Sequence, residues 1–61
     1  MYSVYEMSFD LNGKSYAETV TVEDFGEVRE IAIRLMKKGC KNIVATFLYD
    51  DDEYWGNYDI I

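Results

Sequence analysis

Histidine and proline are missing from the 61 residues, cysteine occurs once and glycine four times. Without histidine the chain lacks the usual general base and the commonest metal ligand. A single cysteine builds neither an internal disulfide nor a multi-thiolate zinc site. Ser-His-Asp, Cys-His and zinc chemistries are therefore excluded. Long hydrophobic runs are also missing: polar residues interrupt the apolar ones every few positions, so no stretch approaches the roughly 18 residues that span a bilayer. The start Met1-Tyr2-Ser3-Val4-Tyr5-Glu6 lacks the basic region of a signal peptide, and the expectation is a cytoplasmic protein.

Hydrophobic residues make up 49% of the chain and aromatics 16%, well above the level of a disordered acidic segment, so a folded domain follows. At this length a chain buries only about 60% of the surface it exposes when unfolded. One domain over residues 1–61 with one thin core is expected.

The first periodic stretch alternates apolar Tyr5, Met7, Phe9 and Leu11 with polar Glu6, Ser8 and Asp10, the pattern of a half-buried strand. Asn12-Gly13 is a strong hairpin signal, because both central residues of a type I′ turn need positive φ. The run from Lys14 to Val22 should pair back antiparallel, with Leu11 opposite Lys14, Phe9 opposite Tyr16, Met7 opposite Glu18 and Tyr5 opposite Val20. Glu18 is a misfit on the core side, and a charge leaning inward is a device of edge strands.

Thr21 is a candidate N-cap with Asp24 three residues later, so a helix is expected to begin there. Phe25, Val28, Ala32, Leu35 and Met36 share one side, flanked by Ile31 and Ile33, whereas Glu27, Glu30, Arg34, Lys37 and Lys38 take the other. Acids early and bases late match the helix dipole, and Gly39 is the expected residue just past the end. Gly26 in the first turn reads as a weak spot, costing up to about 1 kcal/mol relative to alanine. The β-branched and aromatic run Ile43 to Tyr49 predicts a strand more buried than the first two. Asp50-Asp51-Asp52-Glu53 reads as a turn, and Tyr54 to Ile61 alternates as a last strand. The expected fold is α+β: a single ββαββ domain, with one helix packed on one face of a four-stranded, mainly antiparallel sheet.

One helix covers only one face of such a sheet. If Tyr5, Phe9, Val20 and Phe47 point to the core, the far face carries Val4, Thr19, Val44, Leu48 and either Tyr54 with Tyr58 or Trp55 with Ile61. Such a face reads either as scattered half-exposed residues or as an interface.

Charge is divided unevenly. Residues 1–41 hold seven acids and six bases, whereas residues 42–61 hold five acids and no base. The candidate partner-binding residues are therefore Tyr49, Asp50, Asp51, Asp52, Glu53, Tyr54, Trp55, Tyr58 and Asp59, an acidic and aromatic hairpin. Direct binding to nucleic acid is disfavoured there, because phosphate affinity rests on Lys and Arg. Calcium fits poorly: an EF-hand register begun at Asp50 places Trp55 at position six and Ile61 at position twelve, where Gly and Glu belong. Cys40 reads as a small buried hydrophobe, since the negative end of the helix dipole disfavours a thiolate. Lys37, Lys38 and Lys41 read as complements of that same dipole. No carboxylate pair is spaced across a cleft, so no catalytic residue, metal or cofactor is assigned and an enzyme is not expected.

Carboxylates two apart on a strand lie about 7 Å apart and can imitate a line of phosphates. In size and charge the chain resembles the small acidic proteins with which bacteriophages and mobile elements block restriction, repair or CRISPR nucleases, a likeness of class carried by no shared motif. The expected function is that of a small protein-binding module, an inhibitor or adaptor acting as a nucleic-acid mimic or by occlusion. It would dock on a basic protein surface, such as that of a nucleic-acid-binding enzyme, through its C-terminal acidic-aromatic hairpin. The alternative is a structural homo-oligomer, a dimer for example, that assembles through the uncovered sheet face or an edge strand while the acidic patch keeps it soluble.

Overall fold

The computed structural model describes residues 1–53. Within them the chain forms β1 (Tyr2–Leu11), β2 (Lys14–Val22), α1 (Phe25–Lys37) and β3 (Lys41–Asp51). The three strands make one antiparallel sheet in the order β2-β1-β3. This ββαβ arrangement corrects the four-stranded ββαββ expectation. The third strand runs two residues into the acidic run before ending at Asp51, with Asp50 opposite Ser3 and Asp51 opposite Tyr2. The physical reason is that β1 extends far enough to pair with these residues, and ladder hydrogen bonds outweigh the poor strand propensity of aspartate. The last strand expected over Tyr54–Ile61 lies outside the described residues.

The hairpin joining β1 and β2 has the register that alternation and a two-residue turn impose, from Ser3 opposite Val22 to Leu11 opposite Lys14. Asn12 and Gly13 both have positive φ, 53° and 80°. Pairing of Val22 with Ser3 holds Thr21 in β2, so Thr21 does not cap the helix as expected. The cap is Asp24, whose side chain accepts from the backbone N–H of Glu27 at 3.2 Å. The Glu27 carboxylate in turn accepts from the N–H of Glu23 at 3.0 Å, so two backbone donors at the helix start are satisfied reciprocally. A Cβ on Gly26 would stand 2.9 Å from the capping oxygen of Asp24. The glycine keeps that cap clear, which offsets its low helix propensity.

The helix ends as the sequence indicates. Gly39 has φ 93°, its N–H donates to the carbonyl of Met36 at 3.0 Å, and the N–H of Cys40 donates to the carbonyl of Leu35 at 3.1 Å. This is the Schellman pattern, completed by burial of both Leu35 and Cys40 in the same apolar cluster.

The core is made by Met7 and Phe9 of β1, Val20 and Val22 of β2, Val28, Ile31 and Leu35 of α1, and Cys40. Burying each large side chain is worth about 1.5–3 kcal/mol. Three expected helix-face residues are exposed instead: Phe25, Ile33 and Met36. The stripe actually used, Val28, Ile31 and Leu35 with Ala32 half-buried, is narrower than the sequence offers. β3 adds only the partly buried Ile43 to this cluster. It is the most exposed strand rather than the most buried, because β1 occupies the centre of the sheet and β3 stands beside it with no described strand beyond.

β3 also departs from regular pairing at both ends. Register shifts fall between Val4 and Tyr5 and between Ser8 and Asp10 of its partner β1. The first leaves Leu48 as the extra residue between Phe47 and Tyr49. The second is taken up near Asn42, whose φ is 55°, a left-handed conformation that asparagine tolerates better than most residues.

Candidate functional site

Between its two irregular ends β3 presents an unbroken uncharged run, Asn42-Ile43-Val44-Ala45-Thr46-Phe47-Leu48-Tyr49. Val44, Phe47, Leu48 and Tyr49 are respectively 53, 52, 45 and 46% exposed. These values are high for large apolar side chains on a strand of a folded sheet. Phe47 belongs to a line of rings: it meets Tyr5 edge-on at 5.6 Å between centroids, and Tyr5 lies 6.2 Å from Phe25 at the helix start. Tyr5 is half-buried while the outer two rings are open to solvent, so the line forms an apolar shoulder beside the acidic end of β3.

That acidic end is ordered by short contacts. The Ser3 hydroxyl donates to Asp50 at 3.1 Å, and the backbone N–H of Glu53 donates to Asp51 at 3.1 Å. Asp50, Asp52 and Glu53 are exposed and Asp51 is half-buried. Among the described residues no cation pairs with any of the four. The structure thus places Tyr49, Asp50 and Asp51 at the end of β3 and Asp52 and Glu53 in the bend that follows it. Tyr54, Trp55, Tyr58 and Asp59 lie outside the described residues.

Two members of this surface, Phe47 and Phe25, were assigned to the core by sequence pattern, and a third, Leu48, to the far face. Strand order is the missing information: a β-branched and aromatic run looks the same in a central and in an edge strand.

The sheet face opposite the helix carries Val4, Thr19 and Val44, as the alternation indicates. Strand alternation and the observed register place small or polar residues there on β1 and β2, Glu6, Ser8, Asp10, Ser15, Ala17 and Thr19, and on β3 Thr46 together with the exposed Val44 and Tyr49. Val4 and its partner Thr21 are on the same face and are fully buried. On this face the apolar exposure is therefore confined to its β3 side.

One polar cluster ties all three strands together on that side. Asp10 of β1 accepts from the Ser15 hydroxyl of β2 at 2.7 Å and from the Asn42 side-chain amide of β3 at 2.8 Å. The Asn42 bond, with Ser15 second, holds the Asp10 carboxyl below its ordinary pKa, since both donors favour the charged form. The Asp10–Ser15 half of this cluster follows from the hairpin register; the contact with Asn42 spans 32 positions and has no local signal. It is a structural clasp, in which each carboxylate oxygen of Asp10 accepts from a donor of a neighbouring strand.

No three Asp, Glu, Cys or His side chains are grouped to hold a metal ion among the described residues. No helix there is long and apolar enough to cross a membrane. No known protein family, curated protein or solved structure matches the chain.

Proposed function

We propose that the protein is a binding module that docks on a basic protein surface through the acidic end of β3 and the aromatic shoulder beside it. The observation that supports this reading is the meeting of two features at one strand terminus: carboxylates with no cationic partner among the described residues, and large apolar side chains left in solvent. Complementary charge steers an encounter and fixes orientation, while aromatic residues anchor it once water is expelled. Phe47, Leu48 and Tyr49 would supply the anchor, and Asp50, Asp51, Asp52 and Glu53 the steering. A target that itself binds phosphate backbones has the required positive surface, so inhibition by mimicry or by occlusion is the mode we favour.

The test is capture of basic proteins from a host lysate by wild type and by the Asp52→Lys/Glu53→Lys variant, followed by binding kinetics with the recovered partner. Both substituted residues are exposed and neither side chain holds another strand, so the fold should be unaffected. The association rate should fall by roughly ten-fold or more in the variant, and the difference should shrink as salt rises. Equal association rates at low salt would exclude the acidic end as the docking element.

A further inference from the structure

The outer edge of β3 has a property that the acidic terminus alone does not account for. Edge strands avoid pairing with other chains by carrying charge along their length, and β3 carries none from Asn42 to Tyr49. Its charges are at the two ends and are of opposite sign: Lys41 opens the strand and Asp50 and Asp51 close it. A strand that is uncharged in the middle, basic at one end and acidic at the other is complementary to itself when reversed.

We infer that β3 pairs antiparallel with β3 of a second copy of this chain about a two-fold axis at Thr46. That register sets Lys41 of each copy opposite Asp51 of the other. It also brings Val44 against Leu48 and Ala45 against Phe47. Thr46 meets its own counterpart, and Thr–Thr is a favourable cross-strand pair. The two ends and the centre share a face: by the observed ladder Lys41 is opposite Asp10, Thr46 opposite Glu6 and Asp51 opposite Tyr2, so these three lie on the face away from the helix, whereas the pair Ile43–Tyr49 falls at the irregularities of the strand. Counting the described strands, the product is a continuous six-stranded sheet with both helices on one side, closed by an isologous contact with the two β2 strands outermost. A different protein has no reason to match both ends of the strand at once, whereas a second copy does so by symmetry.

Four variants test this through assembly, independently of any basic partner. Lys41→Glu places like charge opposite Asp51, as does Asp51→Lys opposite Lys41. Each single variant should weaken the dimer about ten-fold or more in sedimentation equilibrium, and the Lys41→Glu/Asp51→Lys double variant should restore it. Opposed Cα atoms in an antiparallel pair are about 4.5–5.5 Å apart, within the range a disulfide accepts. Thr46→Cys should therefore oxidise to a dimer linked 46 to 46 by peptide mapping, far faster than a Thr19→Cys control on β2. Circular dichroism of each variant establishes that it is folded. A wild type that remains monomeric at millimolar concentration would overturn the inference. So would a dimer indifferent to the charge swap, or 46–46 linkage no faster than the control.

Discussion

The two outer strands of the sheet flank the same central strand and manage their exposure in opposite ways. β2 turns Val20 and Val22 into the core, fills its solvent positions with Ser15, Ala17 and Thr19, and keeps a carboxylate, Glu18, on the helix side opposite Met7. β3 contributes little to the core and exposes Val44, Phe47, Leu48 and Tyr49. One edge is finished for solvent, and the other is unfinished. Among the described residues this contrast is what the proposed docking role of β3 requires.

If that contrast is sound, equal truncations on the two sides should have unequal costs. Phe9 is buried and stacks on Tyr16 of β2 at 5.4 Å, so Phe9→Ala should lose about 3–5 kcal/mol in urea unfolding. Phe47→Ala removes a ring of the same size from β3, yet it forfeits only an edge-on contact with Tyr5 and should cost about 1 kcal/mol. Comparable losses from the two would break the comparison.

A smaller effect is expected where the helix hands over to β3. Gly39→Ala forces a side chain into a left-handed conformation and should cost roughly 1–2 kcal/mol. Hydrogen exchange should rise first at the start of β3, with the β1–β2 hairpin keeping its protection.

The smallest effect concerns the clasp that joins both edges to β1. Asp10 has a folded pKa below its unfolded value, so its contribution is complete above the unfolded value, near 3.9, and fades as pH falls through the folded one. Acid titration of stability should show a wild type that loses this contribution below about pH 4. The Asp10→Asn variant should be flatter over that window. Parallel profiles would remove Asp10 as the link between the two edges.

What the sequence disclosed follows the range of the interactions involved. The β1–β2 register rests on a two-residue turn and strict alternation, and the helix end on Gly39 with Cys40 behind it; both are local and both are legible. The N-cap was misplaced by three residues because Thr21 has a capping side chain but is held in the sheet by a partner in β1. β3 was misjudged in burial and length for the same kind of reason: its neighbour was unknown. Of the candidate docking residues, the stretch from Tyr49 to Glu53 is legible as an acidic run beside an aromatic. The apolar half of that surface, Phe47 and Leu48, is visible only once β1 takes the central place.

Cys40 sits where α1 passes into β3, 6% exposed and bonded through its N–H to Leu35. As the chain's single thiol it is a natural stopwatch. An alkylating reagent reaches it only when the junction opens, so the labelling rate reads how often that happens. Labelling at the pace of global unfolding would mean that the sheet and helix separate as one piece. Faster labelling would mean that the side of the molecule bearing β3 breathes on its own while the hairpin and its core remain closed.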